Sequence, residues 1–376
     1  MEIIIERSEI LEFLNHAYRI VERRNAVPIS GHILLTAADQ ALKIKASGTE
    51  IEIEASIPAH VEVIGSCTVP VHLLHDIVRK LPDGSDIFLS KKNTEESRVI
   101  ISSGSSKFFL QSFPEVEFPA STEEKYPYSF KIKSSTLKNL MERTHFSMAT
   151  EEIRYYLNGI FFHIDESGLK LRSVATDGHR LAVAEAVMPE ILGMPSIIVP
   201  RKAVGEIQRI LSSKDLMVEI KISESRIHLE IESICMSSRL IDGDFPAYRN
   251  VVPDSDKNNK ELRVNCNNLR QAVDRVSTIA SLRSQSVKLS LSPGKLKMTV
   301  DNPDLGNAVE DLDVNYTDGP MDIGFNYKYL LEIIDNISDD QMICLLEGPN
   351  SSALIKGAGA GEGDVSAFYV LMPMRI

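Results

Sequence analysis

The chain has 376 residues, 43% of them apolar and 25% charged, with a formal net charge of −12. That length exceeds what one hydrophobic core supports and predicts two or three domains. No stretch holds 18 consecutive apolar residues, which excludes a membrane-spanning helix. The opening Met1-Glu2-Ile3-Ile4-Ile5-Glu6-Arg7 lacks the basic region and cleavage site of a secretory leader, so a cytoplasmic protein without membrane contact is expected. Cys67, Cys235, Cys266 and Cys344 are scattered without CxxC spacing and read as reduced thiols, with no disulfide and no zinc.

In chain order, Glu2-Ile3-Ile4-Ile5 reads as a strand. Ser8 to Arg24 reads as an amphipathic helix, with Ile10, Leu11, Leu14, Ala17, Tyr18 and Val21 on one stripe. Alternation then marks strands at Ala41 to Lys45 and Ile51 to Glu54, and Val69-Pro70 leads into a second helix from Val71 to Leu81. The same order returns twice. Ser129 to Ile132 precedes a helix from Ser134 to Ser147, strands follow at Gly168 to Leu171, Val199-Pro200 opens a helix from Arg201 to Leu211, and a strand follows at Met217 to Ile222. Glu261 to Val264 precedes a helix from Asn267 to Ser281, Lys295 to Met298 reads as a strand, and Phe325 opens a helix from Asn326 to Ile337. A Ser or Asn stands near the start of each opening helix as a candidate cap.

Aligned on one another, the second helices superpose Leu74, Val204 and Leu330, then Ile77, Ile207 and Ile333, then Leu81, Leu211 and Ile337. An acid also recurs, as Asp76, Glu206 and Glu332. An internal repeat of this period predicts three similar α+β domains, each with two helices packed on antiparallel sheet. Polar, proline-containing stretches at Pro119 to Pro127 and Pro253 to Lys260 place the boundaries at residues 1–124, 125–254 and 255–376.

An acidic chain is a poor candidate for a nucleic-acid partner unless its cations are concentrated. The six helical segments carry 13 Lys or Arg against 9 Asp or Glu, a sum of +4 that leaves −16 on the rest of the chain. That partition suits a sequence-blind DNA-facing surface on a repelling body, and equally suits six ordinary solvated helix faces.

Thr176-Asp177-Gly178-His179-Arg180 has the composition of an Asp/His catalytic pair, and a hydrolase is one reading. A tight turn with Asp and Gly in backbone roles is the better one, since no Ser or Cys elbow and no second His cluster accompany it. His72 and His75 read as surface and core positions of a helix. The run Gly357-Ala358-Gly359-Ala360-Gly361-Glu362-Gly363 precedes a strand at Val365 to Leu371 and so reads as a hairpin loop, not a phosphate loop. A tandem-repeat ligand-binding protein without a DNA role is the other alternative.

Four motifs in order carry a resemblance: Arg154-Tyr155-Tyr156-Leu157-Asn158-Gly159, Ala175-Thr176-Asp177-Gly178-His179-Arg180-Leu181-Ala182, Val199-Pro200-Arg201-Lys202, and Met372-Pro373-Met374-Arg375-Ile376. Together they resemble the bacterial DNA polymerase III beta subunit, over the whole chain. The resemblance implies a non-catalytic sliding clamp without cofactor or metal. Its three DNA-clamp domains would form a head-to-tail dimeric ring that encircles duplex DNA without sequence specificity. It implies as partners a second copy of the chain, the clamp loader, the replicative DNA polymerase catalytic subunit, and other polymerases and repair proteins carrying clamp-binding peptides.

Residue by residue, Arg24 matches a DNA-contacting position, and Arg79, Lys80, Arg201 and Lys202 are the further cations assigned to that surface. Glu151 stands where an amide is expected, so Glu151 with Glu152 is expected to repel phosphate. Phe108 and Leu110 match the subunit contact of the first domain; on the third, Ile279 matches and Thr278 replaces an aliphatic residue. The peptide pocket matches at Leu157, Thr176, Gly178, His179, Arg180, Leu181, Pro246, Val251, Asn326, Tyr329, Ser352, Val370, Leu371, Met372, Pro373, Met374 and Arg375. Soft Met with Leu, Val and Pro suits a cleft that accepts several partners. Asn250 replaces a basic residue and Ser284 an aromatic one at its edge, which implies a shallower rim.

Overall fold

The structure is a computed structural model that describes residues 1–24, 26–91, 98–119, 124–188, 191, 193–211, 215–254, 257–281, 285–359 and 364–375. Ser284, the loop residues 360–363 and Ile376 lie outside the described residues.

In the first copy, β1 (Glu2–Glu6) runs into α1 (Arg7–Ile20). Then come β2 (His32–Ala38), β3 (Ala41–Ser47), β4 (Ile51–Pro58), β5 (His60–Val63), β6 (Gly65–Pro70), α2 (Val71–Lys80), β7 (Asp86–Ser90), β8 (Arg98–Ser103) and β9 (Ser106–Gln111). The second copy has β10 (Tyr128–Lys133), α3 (Ser134–Glu142), β11 (Gly159–Ile164), β12 (Lys170–Thr176), β13 (Arg180–Val187), β14 (Ile197–Pro200), α4 (Arg201–Ile210), β15 (Met217–Ile222), β16 (Arg226–Ile231) and β17 (Ile234–Arg239). The third has β18 (Lys260–Asn265), α5 (Cys266–Ser277), β19 (Ser286–Ser292), β20 (Lys295–Asn302), β21 (Gly306–Asp313), β22 (Met321–Asn326), α6 (Tyr327–Asp335), β23 (Gln341–Leu346), β24 (Ala353–Gly357) and β25 (Val365–Leu371).

Each of these six helices begins on the residue after a strand ends, and this moves the helix boundaries from where periodicity alone sets them. With no connecting loop, the cap position is the last strand residue: Glu6 at α1, Pro70 at α2 and Pro200 at α4, none of which offers a side-chain cap. Proline fits there because its ring already holds the φ of −65° and −61° seen at Pro70 and Pro200. Ser8 therefore lies inside α1 rather than capping it, whereas in the third copy Asn265 and Asn326 do cap, accepting from the backbone N–H of Asn268 and Lys328. α1 also stops at Ile20, which leaves Arg24 in the turn beyond it.

The chain divides into two compact units, residues 1–133 with 216–240, and 134–215 with 241–376. In the first unit, one sheet has the order β5-β1-β7-β8-β9 and an eight-stranded sheet runs β10-β15-β16-β17-β4-β3-β2-β6. In the second, an eight-stranded sheet runs β14-β11-β12-β13-β25-β24-β23-β18 and a four-stranded one β21-β20-β19-β22. Every pairing is antiparallel, and each long sheet is continuous across two sequence copies. Ile234 to Ser238 of β17 pair with Ala55 to Ile51 of β4, and Arg180 to Ala186 of β13 pair with Leu371 to Val365 of β25.

The repeat positions fill the core. Leu74, Val204, Leu330, Ile207 and Ile333 are all buried, as are Ile10, Leu14, Leu137, Leu140, Leu269 and Val273 of the opening helices. Each such side chain contributes about 1.5–3 kcal/mol by leaving water. The recurrent acid behaves differently in each copy. Asp76 and Glu206 pair with an arginine three residues on, Arg79 at 3.6 Å and Glu206's partner Arg209 at 3.2 Å. Glu332 has Asp335 at that spacing, so it turns to Arg180 instead.

Candidate functional site

A cavity of about 270 Å³ opens in the second unit, lined by Leu157, Thr176, Gly178, Arg180, Leu181, Pro246, Val251, Val370 and Met372 of the expected pocket. Arg154, Tyr156, Ala247 and Tyr248 complete it. Its floor is a small cluster of Val174, Leu181, Val183, Tyr248 and Val370, backed by Phe161, Phe245 and Phe368. Phe161 stacks on Phe245 with centroids 4.7 Å apart, and the buried His163 holds the Tyr248 hydroxyl at 2.9 Å. Burial lowers the His163 pKa, so the ring stays neutral and hydrogen-bonds without carrying a charge into the floor.

The turn after β12 builds the rim. Asp177 accepts from the backbone N–H of His179 at 2.9 Å and of Arg180 at 3.0 Å, while Thr176 Oγ1 accepts from Gly178 N. Gly178 sits at φ +89°, and a Cβ there would stand 2.6 Å from Arg154 Nη1. These are backbone roles for Asp177 and Gly178, as the turn reading expects. Arg180 is 7% exposed and ties several segments together. Its guanidinium donates to Asp177 at 3.1 Å, to Glu332, and to the Phe146 carbonyl at 2.6 Å, and lies 4.3 Å from the Tyr329 ring centroid.

The other expected pocket residues lie around this cavity rather than in its lining. His179 stacks on Tyr329 at 6.2 Å, and Asn326 caps α6 and donates to Gln285. The Ser352 hydroxyl donates to the Met372 sulfur, and Leu371 is fully buried in β25. Pro373 is half-buried, Met374 bridges to Gly324, and Arg375 is exposed.

Among the proposed DNA contacts, Arg24, Arg79, Lys80, Arg201 and Lys202 are all exposed. α1 and α2 run antiparallel, with His72 Nε2 beside the Val21 carbonyl at one end and Arg7 Nε on the Val78 carbonyl at the other. Arg24 and the pair Arg79 and Lys80 therefore mark opposite ends of the same helix pair. Arg201 is partly committed: its guanidinium donates to the carbonyls of Met148 at 2.5 Å and Ala149 at 3.1 Å, fixing the loop that carries Glu151. Glu151 is not a bare anion there, since Arg154 Nε donates to it at 3.0 Å. That pairing offsets the charge of Glu151 and weakens the repulsion expected from Glu151 and Glu152.

Phe108 is half-buried and Leu110 buried on β9, an edge strand. Thr278 caps α5, and Ile279 follows it, half-buried, with its carbonyl accepting from Asn302 at 2.6 Å. Sequence reasoning missed Arg154, Tyr156, Ala247 and Tyr248. Arg154 and Tyr156 lie inside the Arg154 to Gly159 motif, so the signal was present but unassigned.

Family models of the DNA polymerase III beta subunit match in order: the N-terminal domain over residues 1–122, the central domain over 131–247 and the C-terminal domain over 249–375. The chain is 39% identical to the beta sliding clamp of Caulobacter vibrioides and 36% identical to that of Escherichia coli K12, covering all of both chains in each case. A sliding clamp from Bartonella birtlesii, solved bound to griselimycin, superposes with a TM-score of 0.94 at 44% identity and full coverage of both chains. A Caulobacter crescentus clamp superposes equally well at 39% identity, covering 100% of this chain and 99% of that one. The chain belongs to the DNA polymerase III beta subunit family, the non-catalytic sliding clamps that serve as processivity factors in DNA replication.

Proposed function

We propose that two copies of this chain close head to tail into a ring around duplex DNA, and that the cavity beside Leu157 and Met372 takes short apolar peptides from its working partners. The observation that carries the reading is the pattern of sheet edges. The last strand of one sheet in the first copy, β4, joins the last strand of a sheet in the second, β17; likewise β13 of the second joins β25 of the third. The series leaves β21 of the third copy and β9 of the first as the two strands with an open edge in the corresponding position. A third join of the same kind requires a second molecule, and two such joins make a closed, heterologous dimer. Phe108 and Leu110 on β9, with Thr278 and Ile279 beside the sheet of β21, are the proposed contact.

Enclosure makes retention independent of tight adhesion, so exposed cations such as Arg24, Arg79, Lys80, Arg201 and Lys202 need only touch phosphates in passing. The domains are proposed at residues 1–124, 125–254 and 255–376. The clamp loader, the replicative polymerase subunit and repair proteins are the proposed peptide donors, and the cytoplasm the proposed location. The test is retention: clamps loaded on nicked circular DNA should survive a high-salt wash and leave once the circle is cut. Equal loss from circular and linear DNA would overturn the reading.

A further inference from the structure

The two stretches that link successive copies are held in different ways. The second, after β17, is anchored by aromatic burial: Phe245 stacks on Phe161 at 4.7 Å, and the buried Tyr248 meets His163 at 2.9 Å. Its ion pair, Arg249 with Glu166, is exposed on both sides. The first, ahead of β10, is anchored by charge. Glu124 accepts from the hydroxyls of Ser223 and Ser225, the latter at 3.1 Å, and lies 3.3 Å from Arg226 Nε on β16. Arg226 Nη1 also donates to Glu52 of β4 at 3.2 Å, and Glu52 pairs with Lys45 of β3 at 3.7 Å. The side chains of Lys45, Glu52, Arg226 and Glu124 are only 13–22% exposed. They form a row of alternating sign that ties the first copy, the second copy and the connector together across the seam of β4 and β17. Arg239, opposite Arg226 on β17, is exposed. Tyr126 lies 5.6 Å from the His228 ring, which is itself bonded to Glu230 and Ser237.

We propose that this row of charges is a salt-releasable latch: it holds the first connector against both copies at low ionic strength and lets it lift as salt rises, while the second connector stays in place. Arg226 is the centre of the latch, because it alone touches a carboxylate of the first copy and the carboxylate of the connector. Attraction between partly exposed charges weakens as mobile ions screen them. Burial of aromatic rings, which holds Phe245 and Tyr248, rests on removing apolar surface from water and has no such dependence. The latch lies within a single chain and needs no second copy.

Trypsin reads the latch directly, because the exposed Lys125 follows Glu124 and its peptide bond is cut only when this segment lifts from the sheet. Cleavage of the full-length chain after Lys125 and after Arg249 is followed by mass spectrometry. Each rate is divided by that of a free peptide of the same local sequence at the same salt, which cancels the response of the protease itself. For the natural chain, cleavage after Lys125 should rise about threefold between about 0.05 M and about 0.5 M sodium chloride, the size expected of screening a partly exposed ion pair. Cleavage after Arg249 should change little. Arg226→Met should raise the low-salt rate at Lys125 about tenfold, since charge-assisted hydrogen bonds are lost, and should abolish the salt response. Arg226→Lys keeps the charge and should retain part of that response. A variant that merely loosened the fold would be cut faster at both salts and keep the response. A natural chain without a salt response at Lys125, an equal response at Arg249, or a response that survives in Arg226→Met overturns the proposal.

Discussion

Replacing Arg180 by Met keeps an unbranched side chain over Tyr329 and removes only the guanidinium. The structure allows its cost to be apportioned. Asp177 keeps two backbone N–H donors, and Glu332, 48% exposed, returns to water, so neither carboxylate is stranded. The Phe146 carbonyl loses its donor at 2.6 Å, which costs about 1–3 kcal/mol for a buried acceptor left unpaired. Loss of the cation over the Tyr329 and Phe146 rings, at 4.3 and 5.2 Å, adds about 1 kcal/mol. The expected destabilisation is therefore about 3 kcal/mol, with Met packing offsetting part of it. The chain has no Trp and 10 Tyr, so urea unfolding is followed by tyrosine fluorescence alongside far-UV circular dichroism. A shift worth less than 1 kcal/mol, with an unchanged denaturant slope, would show that water already screens these ties and that Arg180 is not a junction between segments.

Other substitutions probe separate parts of the structure. Gly178→Ala should cost about 1–2 kcal/mol for a left-handed backbone and push Arg154 off the Asp177 carbonyl, so peptide affinity should fall further than the thermal midpoint does. Equal affinity by calorimetry would show that the Arg154 contact does not shape the rim. Leu269→Ala on α5 removes a fully packed core side chain and should lower stability by about 2–5 kcal/mol in chemical denaturation, whereas Leu73→Ala, on the exposed face of α2, should cost little. His32 is buried against Phe113 with its Nδ1 unpartnered, and burial lowers its pKa from 6.5 to about 4. The unfolded chain then takes up the proton first, so this contribution is present above pH 6.5 and is lost as pH falls to about 4, by about 3 kcal/mol in all. Burial lowers His75 and His163 in the same direction, so the check is a difference: the pH slope of stability should flatten in His32→Gln relative to the natural chain.

The repeat was legible because burial imposes the 3.6-residue period on every copy, and Leu74, Val204 and Leu330 are indeed core positions. Helix ends were not, because a strand that passes directly into a helix needs no cap residue to announce the join. The pocket was legible only through resemblance. Its lining comes from segments around residues 154, 176, 246 and 370, and nothing local marks Ala247 or Tyr248 as neighbours of Met372. The fate of Glu151 was hidden for a related reason. Its pairing with Arg154, three residues on, occurs outside any helix, where that spacing carries no presumption of contact.

The continuity of the eight-stranded sheets bears on how the chain comes apart. Because β17 leans on β4 and β13 on β25, each of the two sheets of the middle copy has one edge completed by a neighbour, while β10 and β14 form the free edges on the other side. Severing it would bare two unsatisfied rows of backbone amides and carbonyls at once, inviting it to stick to other molecules rather than stand alone. What looks in the sequence like three beads is, in its hydrogen bonding, a fabric whose central panel is sewn in on both sides.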